Sequence, residues 1–181
     1  MPLSLSARVS ILSNVVALGA LALAWSGWPA EPPFAYNLHK ALHIAGVVLF
    51  AGNLVAGPLW IAYAWFRDDG AHLPFAVRTL VDADIWITTP GLHLTIWNGL
   101  AMASALGGIQ VHPWLLRSMV ALLVTSALAL VWVVPAQEGL LAAVETRDPA
   151  KIRRAMVSWS VGGTLISVPL SLVFWWMVNK G

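Results

Sequence analysis

Long apolar runs separated by short polar breaks dominate the chain, and none shows the strict alternation of a half-buried strand. A hydrocarbon core of roughly 30 Å needs about 20 apolar residues in helix. Five runs meet that length, at residues 9–28, 38–66, 85–106, 114–134 and 157–178. The pattern predicts an all-α integral membrane bundle of five transmembrane helices, with residues 1–181 forming a single transmembrane domain. Within the third run, Thr88, Thr89, Pro90 and Gly91 predict a kink or a late helix start. Connections are short except at 67–84 and 135–156, which hold most of the charge. All eight acidic residues are expected in loops or near helix ends. The second long connection is expected to contain a short amphipathic helix. In the first run Arg8 precedes an apolar stretch with Ala22-Leu23-Ala24, as in a cleaved leader, but a retained span is expected.

Composition strengthens the membrane reading. Apolar residues make up 59% of the 181 and charged residues 10%, where soluble proteins have roughly 45–50% and about 25%. Mean hydropathy is +0.78. The net charge of +2 comes without a Lys/Arg block, so no nucleic-acid partner is expected. The absence of cysteine excludes disulfides, thiolate metal sites and Cys-ligated iron–sulfur clusters. Any metal must then use His, Met, carboxylate or a cofactor's own nitrogens. The 11 tryptophans suit the headgroup belts of a multi-pass protein.

With five spans, Arg8, Arg67, Arg78, Arg147, Lys151, Arg153 and Arg154 share one side, and Lys40, Arg117 and Lys180 the other. The positive-inside rule then places the N-terminus and both long connections in the cytoplasm. For a bacterial inner membrane the C-terminus faces the periplasm.

Polar residues inside the runs carry the candidate chemistry. At 100° per residue, His39, His43, Gly46, Phe50, Asn53, Gly57 and Trp60 form one stripe of the second span. Such a stripe faces a bundle interior, and its glycines admit either a second helix or a flat cofactor. Asn53 reads most simply as an interhelical hydrogen-bond donor. His39 and His43 are one turn apart, as in a His-Glu-x-x-His zinc motif, but the glutamate is missing and a zinc protease is excluded. Ionisable residues in a span are functional candidates by default, and neutral imidazole ligates iron and copper. His43 as an iron ligand, Gly46 as space for a ring, and Lys40 with Arg117 as propionate partners make an inventory for haem b. His112 starts the fourth span at a depth similar to His39. His93, in TPGLHLTIWNGLAMA, lies more centrally, and an axial offset above ~12 Å strains a haem shared with His43. His43 and His93 serve one tilted site or two sites, or His93 is a hydrogen-bonded core residue.

KALHIAGVVLFAGNLVAGPLW resembles the first helix of a small bacterial membrane superfamily with the pattern K-x-x-H, apolar and Gly residues, then Pro. TTPGLHLTIWNGLAMA, WLLRSMVALLVTSALALVWVVPAQEGL and WWMVNKG resemble its later segments. The likeness covers residues 37–181 and points to a family of predicted integral membrane proteins of unknown function. Its distant relatives include HemJ-type protoporphyrinogen oxidases and CopD-like copper-resistance proteins. The resemblance implies a four-helix core to which the first span is an addition. It also implies that His43 binds haem b with Lys40 as companion. Where the HemJ motif ends in Pro-Arg, this chain reads Pro58-Leu59.

Three functions are expected candidates. The first is a haem-b protein in electron transfer or a related redox step, as a haem-dependent oxidoreductase or its membrane subunit. The second is a non-enzymatic accessory or assembly subunit that holds a membrane-protein partner or a second copy of itself. The third is copper handling through His39, His43 and His112, without the clustered methionines that suit Cu(I).

Overall fold

The computed structural model describes residues 4–27, 32–67 and 71–180, which are almost entirely helical. Seven α-helices follow one another: α1 Leu5–Trp25, α2 Tyr36–Phe66, α3 Leu73–Ala83, α4 Thr89–Ala105, α5 Pro113–Leu128, α6 Val134–Thr146 and α7 Pro149–Asn179. The end of the first predicted span, at Trp28, lies outside the described residues. Single π-helical turns, Asp84–Thr88 and Ala129–Val133, join α3 to α4 and α5 to α6. The 73–105 and 113–146 stretches are therefore two continuous rods, each with one widened turn.

Helix ends follow local chemistry. Ser4 caps α1 through its hydroxyl, and Asp148 caps α7 by accepting from the backbone of Ala150 and Lys151. Arg147 takes the left-handed conformation that stops α6, and Pro149 then opens α7 at its first position. After α4 the chain turns through Gly107 and Gly108, both at positive φ, where a side chain would be strained.

The first long charged connection is mostly helix, which corrects the loop expectation, and the second holds α6, where a short helix was expected. In α3 the apolar residues Leu73, Ala76, Val77, Leu80 and Val81 recur at helical spacing and are buried. They pack with Ile61 of α2, Leu140 and Val144 of α6 and Trp159 of α7. A second cluster at the other end joins Ala17, Ala20 and Leu21 of α1 to Ile96 and Ala103 of α4 and to Leu115 and Met119 of α5.

Among the described residues, four helices are long and apolar enough to cross a membrane: Leu5–Trp25, Tyr36–Phe66, Pro113–Thr146 and Pro149–Asn179. The expected third span, 85–106, does not join them. It forms the second part of the 73–105 rod, where Asp84, His93 and Asn98 dilute the apolar character. On the outer surface Leu12, Val48, Val55 and Leu59 are well exposed, as side chains facing lipid should be.

Candidate functional site: a histidine cavity and a polar centre

The α2–α4 seam organises both candidate sites. The two helices run antiparallel and meet at Gly46 and Gly91. A Cβ on Gly46 would lie 2.6 Å from the Thr95 nitrogen and 2.7 Å from the Gly91 oxygen. One on Gly91 would lie 2.7 Å from the Phe50 nitrogen. Backbone touches backbone here, so α4 itself fills the gap that Gly46 leaves. The predicted stripe is narrower than seven residues. His39, Gly46, Asn53 and Gly57 are buried and His43 and Phe50 half-buried, but Trp60 is 42% exposed.

Around the seam, each histidine acquires a different environment. His43 Nδ1 donates to the Thr95 carbonyl at 2.7 Å, since a carbonyl can only accept. Nε2 therefore carries the lone pair, and it makes no hydrogen bond to the described residues. The ring rests over Gly99, where a Cβ would come within 3.1 Å of it. His43 also lines a cavity of about 400 Å³ between α2, α4, α5 and α7. The other walls are apolar, with Val47, Phe50, Leu115, Leu170 and Phe174, and two methionines, Met119 and Met177. That size and character match a small-molecule or cofactor site, a range of roughly 300–1,000 Å³.

His39 is buried with both ring nitrogens engaged. Its Nε2 accepts from the Phe34 N–H at 3.3 Å, which leaves Nδ1 to donate to Asn98 Oδ1 at 2.8 Å. The histidine fastens the start of α2 to α4. His112 caps α5 with its backbone carbonyl and lies with its ring 6.1 Å from that of Trp114. His93 turns toward α1, with Nε2 2.9 Å from Ser13 Oγ, and does not line the His43 cavity. Among the described residues, no three His, Asp or Glu side chains form a metal-holding group. Lys40 and Arg117 are exposed. Lys40 is one turn from His43, whereas Arg117, two residues from each of the cavity-lining Leu115 and Met119, lies on the opposite face of α5.

A second site was not foreseen. Asp84, expected at the end of a loop, lies in the widened turn of the 73–105 rod and faces Asn53 near the middle of the 31-residue α2. Its Oδ1 accepts from Asn53 Nδ2 at 3.0 Å and from Thr88 Oγ1 at 2.8 Å. Its Oδ2 accepts from Gln137 Nε2 at 2.8 Å. Asn53 Nδ2 also donates to Thr88 Oγ1, closing the cluster. The sequence signal was Asp84 four residues before Thr88 at the edge of an apolar run. A loop boundary drawn at residue 85 hid it.

A multi-pass helical membrane protein with an imidazole-walled apolar cavity and a half-buried, hydrogen-bonded carboxylate between its helices is the class these features define. The chain belongs to the family described as predicted integral membrane protein (DUF2269), whose model matches residues 37–181. α1 precedes the matched region. No curated protein and no solved structure matches the chain.

Proposed function

We propose that the protein binds haem b in the His43 cavity and serves in electron transfer or a related redox step of a bacterial inner membrane. The observation that carries this reading is the His43 tautomer: Nδ1 is tied to a backbone carbonyl, and Nε2 keeps its lone pair beside a large apolar cavity. Metal-ligating histidines characteristically donate their second nitrogen in this way, which fixes ring orientation and raises ligand basicity. The donor set suits iron in a porphyrin, which needs one or two axial ligands from the protein and an apolar slot. Met119 and Met177 bring thioether sulfur, a known axial partner of His, to the same cavity. Haem would supply a one-electron couple, while the chain positions the ring and excludes water.

Lys40 and Gly46 have a part in this reading. Lys40, exposed one turn from His43, would pair with a propionate. Gly46 supports the site indirectly, by letting α4 approach closely enough to present Thr95 to His43. His93 stands apart, bonded to Ser13, and is not the partner ligand. The 73–105 rod is read as a fifth crossing. This puts the Arg-rich ends of α6 and α7 in the cytoplasm and the C-terminus in the periplasm. A relation to HemJ-type oxidases fits the K-x-x-H of Lys40 and His43, whereas Leu59 in place of arginine argues against the same reaction. Purified protein from haem-replete cells should show a reducible Soret band that His43→Ala abolishes or shifts. Colourless protein would refute the proposal.

A further inference from the structure

We propose that Asp84 is a reversible proton-binding site at the centre of the membrane domain, independent of whether haem binds. Three neutral donors, Asn53, Thr88 and Gln137, satisfy its hydrogen bonds, yet none offsets the negative charge. Among the described residues no Lys, Arg or His forms an ion pair with it. An uncompensated charge in a span is expensive, and such residues mark proton or ion pathways. Neutrality has to come from something that can enter.

The structure provides the entrance chamber. Asp84 lines a cavity of about 120 Å³ enclosed by α1, α2, α4, α5, α6 and α7. At roughly 30 Å³ per water, that is room for about four. Hydroxyl and amide groups of Ser10, Ser13, Asn14, Thr125 and Ser126 share its walls, so waters there would find the polar partners they require. Asp84 is the titratable side chain among the residues lining this cavity. His93 is the next titratable group, reached through Ser13, and Glu138, beside Gln137, is bound by the Ser4 hydroxyl instead.

The carboxylate is asymmetric in a way that picks the accepting atom. Oδ1 already receives two hydrogen bonds and Oδ2 one. Oδ2 thus has the spare lone pair. Uptake of one proton from water forms an O–H bond at Oδ2, turns carboxylate into carboxylic acid and needs no oxidant or reductant. The new O–H can donate into the cavity while Asn53 and Thr88 keep their bonds to Oδ1. Both flanking π turns are of the kind that recurs at functional sites. One carries Asp84, and the other ends at Val133, four residues before Gln137.

The test is a pH titration by infrared difference spectroscopy on the full-length native protein in lipid, with and without carbon-13-labelled aspartate. A protonated carboxylic acid band should appear on acidification, shift with the label, reverse on return to alkaline pH and vanish in Asp84→Asn. Because the label identifies aspartate without any substitution, the result stands even if the variant misfolds. Loss of the band in Asp84→Asn assigns it to Asp84 rather than to Asp82 or Asp148. Absence of a label-sensitive acid band across the titration would overturn the proposal. So would a thermal stabilisation by sodium, without such a band, which would make the site a sodium site.

Discussion

Gly46 and Gly91 show how much a single missing side chain decides in this fold. Their Cβ positions are occupied by opposing backbone, which cannot move aside as a flexible side-chain tip can. Gly91→Ala should therefore destabilise the protein by about 1–3 kcal/mol, the usual range for overpacking. Gly52 has nothing within 4 Å of its Cβ position, so Gly52→Ala should be neutral in the same thermal-unfolding assay in detergent. The histidines separate in the same manner. His39 spends both nitrogens on Phe34 and Asn98, so His39→Ala should cost about 1–3 kcal/mol of stability, from the unsatisfied buried partner, and keep the chromophore. His43→Ala should do the reverse, losing the chromophore with a smaller change in unfolding temperature. Sequence alone placed His39 and His43 on one face but could not tell them apart. The distinction rests on which groups α4 presents opposite each ring, and helix periodicity carries no information about a partner's register.

At the scale of elements, four of the five membrane runs and the helix of the second connection were legible, and the first connection was not. Leu, Val and Ile dominance marks α1, α2, α5 and α7 plainly. In the charged stretch 67–84, Arg78, Asp82 and Asp84 have the composition of a loop, although Leu73, Val77 and Leu80 recur at helical spacing. That composition displaced the expected third helix boundary and concealed Asp84, the residue with the most distinctive surroundings. A π turn has no sequence signature beyond the Thr and Pro nearby, so the widened turn could only be foreseen as a kink. The docking of α3 on α6 is a structural claim with a direct check. Leu140 is fully buried between α2, α3 and α7, and Leu140→Ala should lower stability by about 2–5 kcal/mol. A loss below that range would show that the inner cluster is loosely packed. Asp84→Asn, in contrast, should leave stability nearly unchanged, because the amide oxygen still accepts from Asn53 and Thr88 and the Gln137 amide can turn over to accept from the new Nδ2.

For the whole molecule, two packed apolar clusters enclose a polar middle layer, and both candidate sites lie along the α2–α4 seam that joins them. The number of crossings decides how those sites face the cell. Five crossings put Ser4 and Asn179 on opposite sides of the membrane, and four put them on the same side. The chain has no cysteine, so single cysteines at these positions can be labelled without background. We expect an impermeant thiol reagent, applied to intact spheroplasts, to label the Asn179 position and spare the Ser4 position. Equal labelling would show an even number of crossings and would remove the 73–105 rod from the span count.

The central claim is that His43 holds a haem in the apolar cavity. The most direct measurement is the absorption spectrum of protein purified from haem-replete cells, oxidised and then reduced, beside His43→Ala and His39→Ala. The account predicts a Soret band that shifts on reduction in the native protein and in His39→Ala, and is lost or displaced in His43→Ala. Well-folded protein without a chromophore, or an unchanged spectrum in His43→Ala, would contradict it.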